Sequence, residues 1–320
     1  MEEDVFKKLE YYFNSNQFNI ATQTILNLQM QVGKWMKYGN TGAIIYGRPR
    51  VGKTRAILYI TRELQEKYGP ELPVYVYNVT SHAVSDKKFY QELLLAVGHP
   101  EFEKGTTTVL KNRLLNSLVA SASVTKSKKV VLFIDEAQNM SVNDFEWLMD
   151  IYNNLSLWDI HMVSFLFGSL ELKSLKSALI MAQKKQIIGR FMVDEFNFKG
   201  IMGARYIAVT LLNFDTPISN NGELLTLTQV YFPEAFADGH RISACASEIM
   251  EAFAEVMKEH NIHIDDIPMQ YYMGALKYCL CEYGKSGKSI YFPDKSAWRD
   301  AVHNSGFIQS EMLNYDAAYT

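Results

Sequence analysis

Cysteine is scarce in this 320-residue sequence: Cys245, Cys279 and Cys281 are the only three. So small and odd a number excludes a disulfide framework and fits a reducing compartment, so a cytoplasmic location is expected. No leader is expected either, since MEEDVFKKLEYYF opens acidic and amphipathic, without the basic head and apolar block of a signal peptide. No apolar run approaches the length of a bilayer-spanning helix, and no membrane partner is expected. Charge of one sign hardly prevails: 32 basic residues against 35 acidic give a net −3. That excludes a globally basic nucleic-acid binder, and any such contact has to come from a local patch, alone or repeated by oligomerisation. Internal repeats and low-complexity tracts are also missing. What the chain does hold is apolar substance. With 48% hydrophobic residues it can bury a sizeable core, and its length admits one large domain or two modest ones.

Hydrophobic periodicity divides the chain into four parts. Residues 1–40 read as a helical arm, with Phe6, Leu9, Phe13, Ile25, Leu28, Val32 and Trp35 on its apolar positions. Over 41–199, short apolar runs predict strands at 43–46, 74–79, 130–134, 162–167 and 191–196. Amphipathic stretches predict helices at 53–68, 87–97, 109–120, 145–155 and on to 181. Strand alternating with helix implies an α/β fold in three layers, a parallel sheet covered on both faces. Over 200–283 the strand rhythm stops, and 202–212, 242–259 and 268–281 predict a smaller all-helical lid. Residues 284–320 turn to Gly, Ser and Lys and then to a sparse polar tail. Its Tyr291, Phe292, Trp298 and Phe307 either dock on the protein's own fold or form a partner-binding peptide.

The first chemical motif is GRPRVGKT at 47–54, a full match to G-x-x-x-x-G-K-[ST]. It follows a predicted strand and opens a predicted helix, the context it needs. Glycines allow backbone N–H groups to close on phosphate oxygens, and the helix start adds partial positive charge. Lys53 brings a full charge to the β and γ phosphates, and Thr54 a magnesium ligand. The expected ATP contacts are Gly47, Arg48, Pro49, Arg50, Val51, Gly52, Lys53, Thr54 and Arg55. Arg48 and Arg50 read as a solvated loop edge, the alternative being contact with a neighbouring subunit, DNA or phosphate. GKSGKS at 284–289 is a decoy: a second phosphate loop would need glycine where Glu282 stands, and no strand precedes it. It reads as a flexible linker.

VVLFIDEAQ at 130–138 has the form of a buried strand ending in two carboxylates. Asp135 at the strand's C-terminal edge can hold the magnesium shell, and Glu136 can orient or deprotonate water near the γ phosphate. The second carboxylate implies hydrolysis rather than binding alone.

These residues resemble the AAA+ ATPases. GRPRVGKT looks like Walker A and VVLFIDEAQ like Walker B. SFLFGS at 164–169 falls where that family carries sensor I, with Ser169 the better match and Ser164 the weaker. QIIGRFMVDEFNF at 186–198 resembles the arginine-finger segment and places the finger at Arg190. DGHRISACASEIM at 238–250 resembles the start of the sensor II helix, with Arg241 as its basic residue. The alternatives are a surface arginine at Arg190, a helix-surface charge at Arg241 and a helix cap at Ser169. The resemblance covers roughly 40–260 and implies ATP and magnesium as ligands. It also implies a homo-oligomer, ring or helical filament, because an arginine finger acts on a neighbour's site.

Within AAA+ proteins, DEAQN at 135–139 and FLFGSLELKSL at 165–175 look most like transposition ATPases of the TnsC, TniB and MuB kind. That likeness implies ATP-dependent assembly on duplex DNA and partnership with a transposase and a target-selection protein. Secretion ATPases and origin initiators share DEAQ-like sequences. An ATP-driven protein switch in defence, signalling or secretion, or a helicase loader, therefore stands as the alternative. Candidate phosphate contacts are Lys104, Thr106, Thr107, Lys111 and Arg113, around a turn-to-helix transition that combines hydroxyls, a helix start and cations; a capped, solvated helix explains them equally. Lys126, Lys128 and Lys129 read as a solvated loop. Cys279 and Cys281 with His260 and His263 lack zinc-finger spacing and read as core thiols and surface histidines.

Overall fold

The computed structural model describes residues 20–80, 84–220 and 223–312. Phe6, Leu9 and Phe13 of the expected arm lie outside the described residues. The chain divides into two compact units: one takes 27–49 and 53–198, the other 20–26, 50–52 and 199–312.

Helix α1 (Gln23–Tyr38) leads into β1 (Gly42–Tyr46), followed by α2 (Lys53–Tyr68), β2 (Val74–Asn78), α3 (Asp86–Ala96), α4 (Thr107–Ser123) and β3 (Lys129–Asp135). A 3-10 turn, Ala137–Asn139, leads to α5 (Val142–Ser156), β4 (His161–Gly168), α6 (Glu171–Met181), α7 (Lys185–Phe191) and β5 (Asp194–Asn197). All five strands run parallel in the order β2-β3-β4-β1-β5. β1 is buried throughout, and β3 and β4 from their second residues on. This is why they read as unbroken apolar runs rather than alternating ones. Trp35 of α1 stacks on Phe165 at 5.9 Å between centroids, which packs that helix on one sheet face. Leu114, Leu118, Phe145, Leu148 and Leu155 pack against the other.

Helix starts are set by local chemistry. Ser85 caps α3, Thr106 caps α4, and Ser141 and Asp144 form a reciprocal capping box on α5. β5 is displaced from its expected position, because Phe191 and Met192 are not strand. Phe191 closes α7 and is fully buried, which fixes it as a helix anchor, and the strand is the alternating DEFN after it.

The second unit contains α8 (Ala204–Asp215), a short hairpin of β6 (Ile218–Asn220) and β7 (Glu223–Leu225), α9 (Leu227–Tyr231), α10 (Pro233–Ala237), α11 (Ala246–Glu259), α12 (Met269–Tyr283) and α13 (Lys295–His303). The expected lid is therefore helical with one hairpin rather than all-helical. Its core joins Leu211, Phe214, Tyr231, Phe253, Tyr272 and Cys279. For the tail, docking on the protein's own fold is the alternative observed. Asp294 caps α13, whose Trp298, Ala301 and Val302 enter that core together with Phe307. GKSGKS is not a flexible linker: Gly284 N donates to Leu280 O at 3.0 Å, Lys285 N to Tyr231 O at 2.9 Å and Gly287 N to Gly284 O at 2.9 Å. The glycines are needed there because a Cβ on Gly287 would lie 2.2 Å from Glu282 O. Cys279 is buried, and His260 packs edge-on against His303.

Candidate nucleotide site

The C-terminal ends of β1, β3 and β4 share one edge of the sheet. Register places Tyr46 beside Gly168, and Ile134 beside Leu166, so Gly47, Asp135 and Ser169 emerge on the same side. Chain crossovers leave a crevice at such an edge, where loops are freed to bind. The 47–54 loop leaves β1 here. Gly47 N donates to Gly168 O at 3.2 Å, and a Cβ at position 47 would meet Phe198 O at 2.1 Å. This glycine is thus required by a neighbouring backbone, in addition to any phosphate. Gly52, at φ 105°, sits in the left-handed region just before Lys53 starts α2.

Lys53 folds back over the loop, its Nζ donating to Gly47 O and Arg48 O, both at 2.9 Å. Thr54 Oγ1 donates to Asp135 Oδ2 at 2.7 Å, while Asp135 Oδ1 accepts from Glu136 N at 3.0 Å. Burial pushes the Lys53 ammonium below its ordinary range, with Glu136 and Asp135 pulling the other way. Burial raises the Asp135 carboxyl above its ordinary range, opposed by its hydrogen bonds from Thr54 and from the Glu136 N–H. Glu136 itself adopts φ 55°, an uncommon conformation for a non-glycine residue and one that recurs at functional sites.

Gln138 is passed over in the sequence reading except as a letter of DEAQ. Its Nε2 donates to Glu136 Oε2 at 2.6 Å, and its Oε1 accepts from Ser169 N at 3.0 Å. Ser169 Oγ accepts from Glu171 N at 3.3 Å at the start of α6. Ser164 lies elsewhere: it pairs with Gly42, the first residue of β1, and is fully buried.

The remaining candidates are engaged within their own units. The Arg190 guanidinium rests 3.9 Å from the Tyr152 ring centroid, and its backbone carbonyl accepts from Thr41 Oγ1 at 2.6 Å. Arg241 lies 3.8 Å over the Phe236 ring and donates to Phe236 O and His240 O at 3.0 and 2.7 Å. Arg50 is more than a solvated edge: it donates to Tyr271 Oη and, at 3.4 Å, to Ser310 Oγ within the second unit. In the candidate DNA patch, Thr106 is the α4 cap and Thr107 Oγ1 donates to Asp86 at 3.4 Å. Lys111 pairs with Asp150, and Arg113 ties the turn together through Glu101 O, Lys104 O and the Glu101 carboxylate. Lys104 is exposed. Lys128 pairs with Asp159 at 3.2 Å, and Lys129 donates to Met36 O at 3.1 Å.

Residues 37–175 match the family described as AAA domain. That match covers less than half of the chain, and with the parallel β2-β3-β4-β1-β5 sheet and the helical C-terminal region it gives the chain an AAA+ P-loop NTPase fold. No curated protein matches the chain. Among solved structures, it is similar to the Aeropyrum pernix Orc1 protein in complex with DNA, at 13% identity and TM-score 0.45 over 84% of this chain and 69% of that one. It is similar to a Drosophila ORC chain from a complex with poly(dA/dT) DNA and Cdc6, at 12% identity and TM-score 0.48 over 89% of this chain and 41% of that one. A Walker-type ATPase of Pyrococcus abyssi gives 13% identity and TM-score 0.48 over 91% of this chain and 75% of that one. The chain thus spans less than half of the Drosophila protein, and at such identities what these proteins bind is a property of theirs. Among the described residues, no helix is long and apolar enough to cross a membrane.

Proposed function

We propose that the protein binds magnesium–ATP at this sheet edge and hydrolyses it to ADP and phosphate. The observation that carries the reading is the meeting of Thr54 Oγ1 and Asp135 Oδ2 at 2.7 Å, below a loop whose lysine already lies against the loop carbonyls. Two adjacent hard oxygen donors, one of them anionic, fit magnesium. Thr54 and Asp135 would hold the magnesium, which would supply positive charge to phosphate oxygens when bound. Lys53 exchanges its carbonyl partners for the β and γ phosphates, and the 47–55 backbone encloses them. Glu136 accepts the proton of the attacking water. Ser169, Arg241 and a neighbouring subunit's Arg190 complete the nucleotide contacts in this reading. The nucleotide-binding domain is 41–199, and the lid begins at 200 and takes in α13 as well.

Calorimetry with magnesium–ATP tests the first step. Wild type and Glu136→Gln bind, Lys53→Ala does not, and phosphate release falls on the order of 10²-fold or more in Glu136→Gln. Wild type that takes up no nucleotide overturns the reading.

The finer proposal is a DNA transposition regulator, oligomeric on duplex DNA and acting with a transposase and a target-selection protein. Its support is the resemblance of 135–139 and 165–175 to transposition ATPases. Because Lys111 and Arg113 pair with acids, each subunit offers few phosphate contacts and binding has to come from repetition along an oligomer. Duplex DNA retention is therefore expected to be salt-sensitive and stronger with a non-hydrolysable ATP analogue than with ADP. Equal retention in the two states argues for a protein switch instead.

A further inference from the structure

We infer that Gln138 is a positioning residue that sets the Glu136 carboxylate for hydrolysis by tying it to the tip of β4; this rests on the ATP-hydrolysis reading above. Glu136 follows β3 in the left-handed region and precedes the 3-10 turn, to which its side chain makes no capping bond. One amide makes up for this. Gln138 Nε2 donates to Glu136 Oε2 at 2.6 Å, and the same side chain's Oε1 accepts from Ser169 N at 3.0 Å. The amide orientation is fixed by this pair of partners. Reversed, it would set its oxygen against a carboxylate and its NH2 against an N–H.

The tip of β4 is shaped around that amide. A Cβ at Gly168 would lie 2.5 Å from Gln138 Oε1, so any larger residue displaces the bridge. Ser169 in turn starts α6 through Glu171 N at 3.3 Å. With Oε2 occupied by the amide, the second oxygen of Glu136 is the one presented to water. Gln138 does not reach the reacting atoms itself; it acts through Glu136, and it links that residue to any movement of the β4–α6 turn.

The test is a comparison of kcat with nucleotide affinity in Gln138→Leu and Gln138→Glu, each also made in the Glu136→Gln background. Misplacing a reacting group by about 1 Å costs up to about 10²-fold in rate. A loss of about 10-fold or more in kcat is therefore expected for both variants, with ATP affinity within about twofold of wild type. In the Glu136→Gln background, Gln138→Leu is expected to change the residual rate no further, since the group it positions is gone. Gly168→Ala attacks the same bridge from its other end and serves if Gln138→Leu fails to fold; the same loss of kcat is expected. A wild-type kcat in Gln138→Leu overturns the inference, and so does an equal fractional loss with and without the Glu136 carboxylate. Wild type that hydrolyses no ATP overturns the parent reading and this one with it. A hydrolysing wild type beside an unaffected Gln138→Leu overturns this inference alone.

Discussion

Ser164 and Ser169 belong to one strand and the turn it enters, and five residues separate them in function as well as in space. At a strand's rise this is about 16 Å. Ser164 pairs with Gly42 in the middle of the sheet and is fully buried, and its hydroxyl has no hydrogen-bond partner among the described residues. Ser169 stands at the edge with Asp135 and Glu136. Of the two serines of SFLFGS, register brings only Ser169 to the edge where the 47–54 loop begins. A buried hydroxyl without a partner costs roughly 1–3 kcal/mol. Ser164→Ala is therefore expected to raise the melting temperature by about 2–4 °C per kcal/mol recovered, while kcat stays unchanged. A large fall in ATPase rate with unaltered stability would make Ser164 part of the site after all. The GRPRVGKT loop is legible in sequence because its parts are contiguous. The Glu136–Gln138–Ser169 link is not, because Ser169 lies 31 residues beyond Gln138 in the chain.

The strands that read correctly are those buried on both faces, β1, β3 and β4, where burial leaves an unbroken apolar signature. β5 was harder to place because half its residues face outward and the aromatic beside it, Phe191, ends a helix. α13 was hidden for a different reason. Its inward face is Ala297, Trp298, Ala301 and Val302, helical in spacing but built from two alanines within a polar background. Composition registers Lys295, Arg299 and Asp300 and misses the stripe. The packing is still substantial, since Trp298 is 1% exposed amid the Phe253–Phe307 cluster. Trp298→Ala is expected to cost about 3–5 kcal/mol, read as a lower urea midpoint. An unchanged midpoint would mean that α13 does not contribute to the stability of this core. The same core explains the thiols. Burial pushes Cys245 up to about 12 and Cys279 higher still, so at neutral pH neither is a reactive thiolate.

For the whole molecule, the decisive question is whether a site is complete in one chain. Arg190 packs on Tyr152 of its own subunit, where a ring face meets its charge. A cation–π contact of this kind is worth about 0.5–1 kcal/mol at a partly exposed site, little enough for a neighbour's triphosphate to compete for the guanidinium. Heterologous, head-to-tail contacts generate the rings or filaments in which each subunit lends an arginine to the next. Two defective variants then complement each other. Glu136→Gln is dead at its own site but keeps Arg190 to lend; Arg190→Ala keeps a whole site but lends nothing. Mixed in equal amounts and assembled at random, about one interface in four joins an intact site to an intact arginine. ATPase activity near a quarter of wild type is therefore expected from the mixture, against a small residue from either variant alone. If both variants bind ATP and co-assemble yet the mixture stays as inactive as its parts, Arg190 does not act across an interface. Oligomerisation would then lose its chemical reason, and with it the main argument that a protein of net charge −3 reaches DNA by repetition.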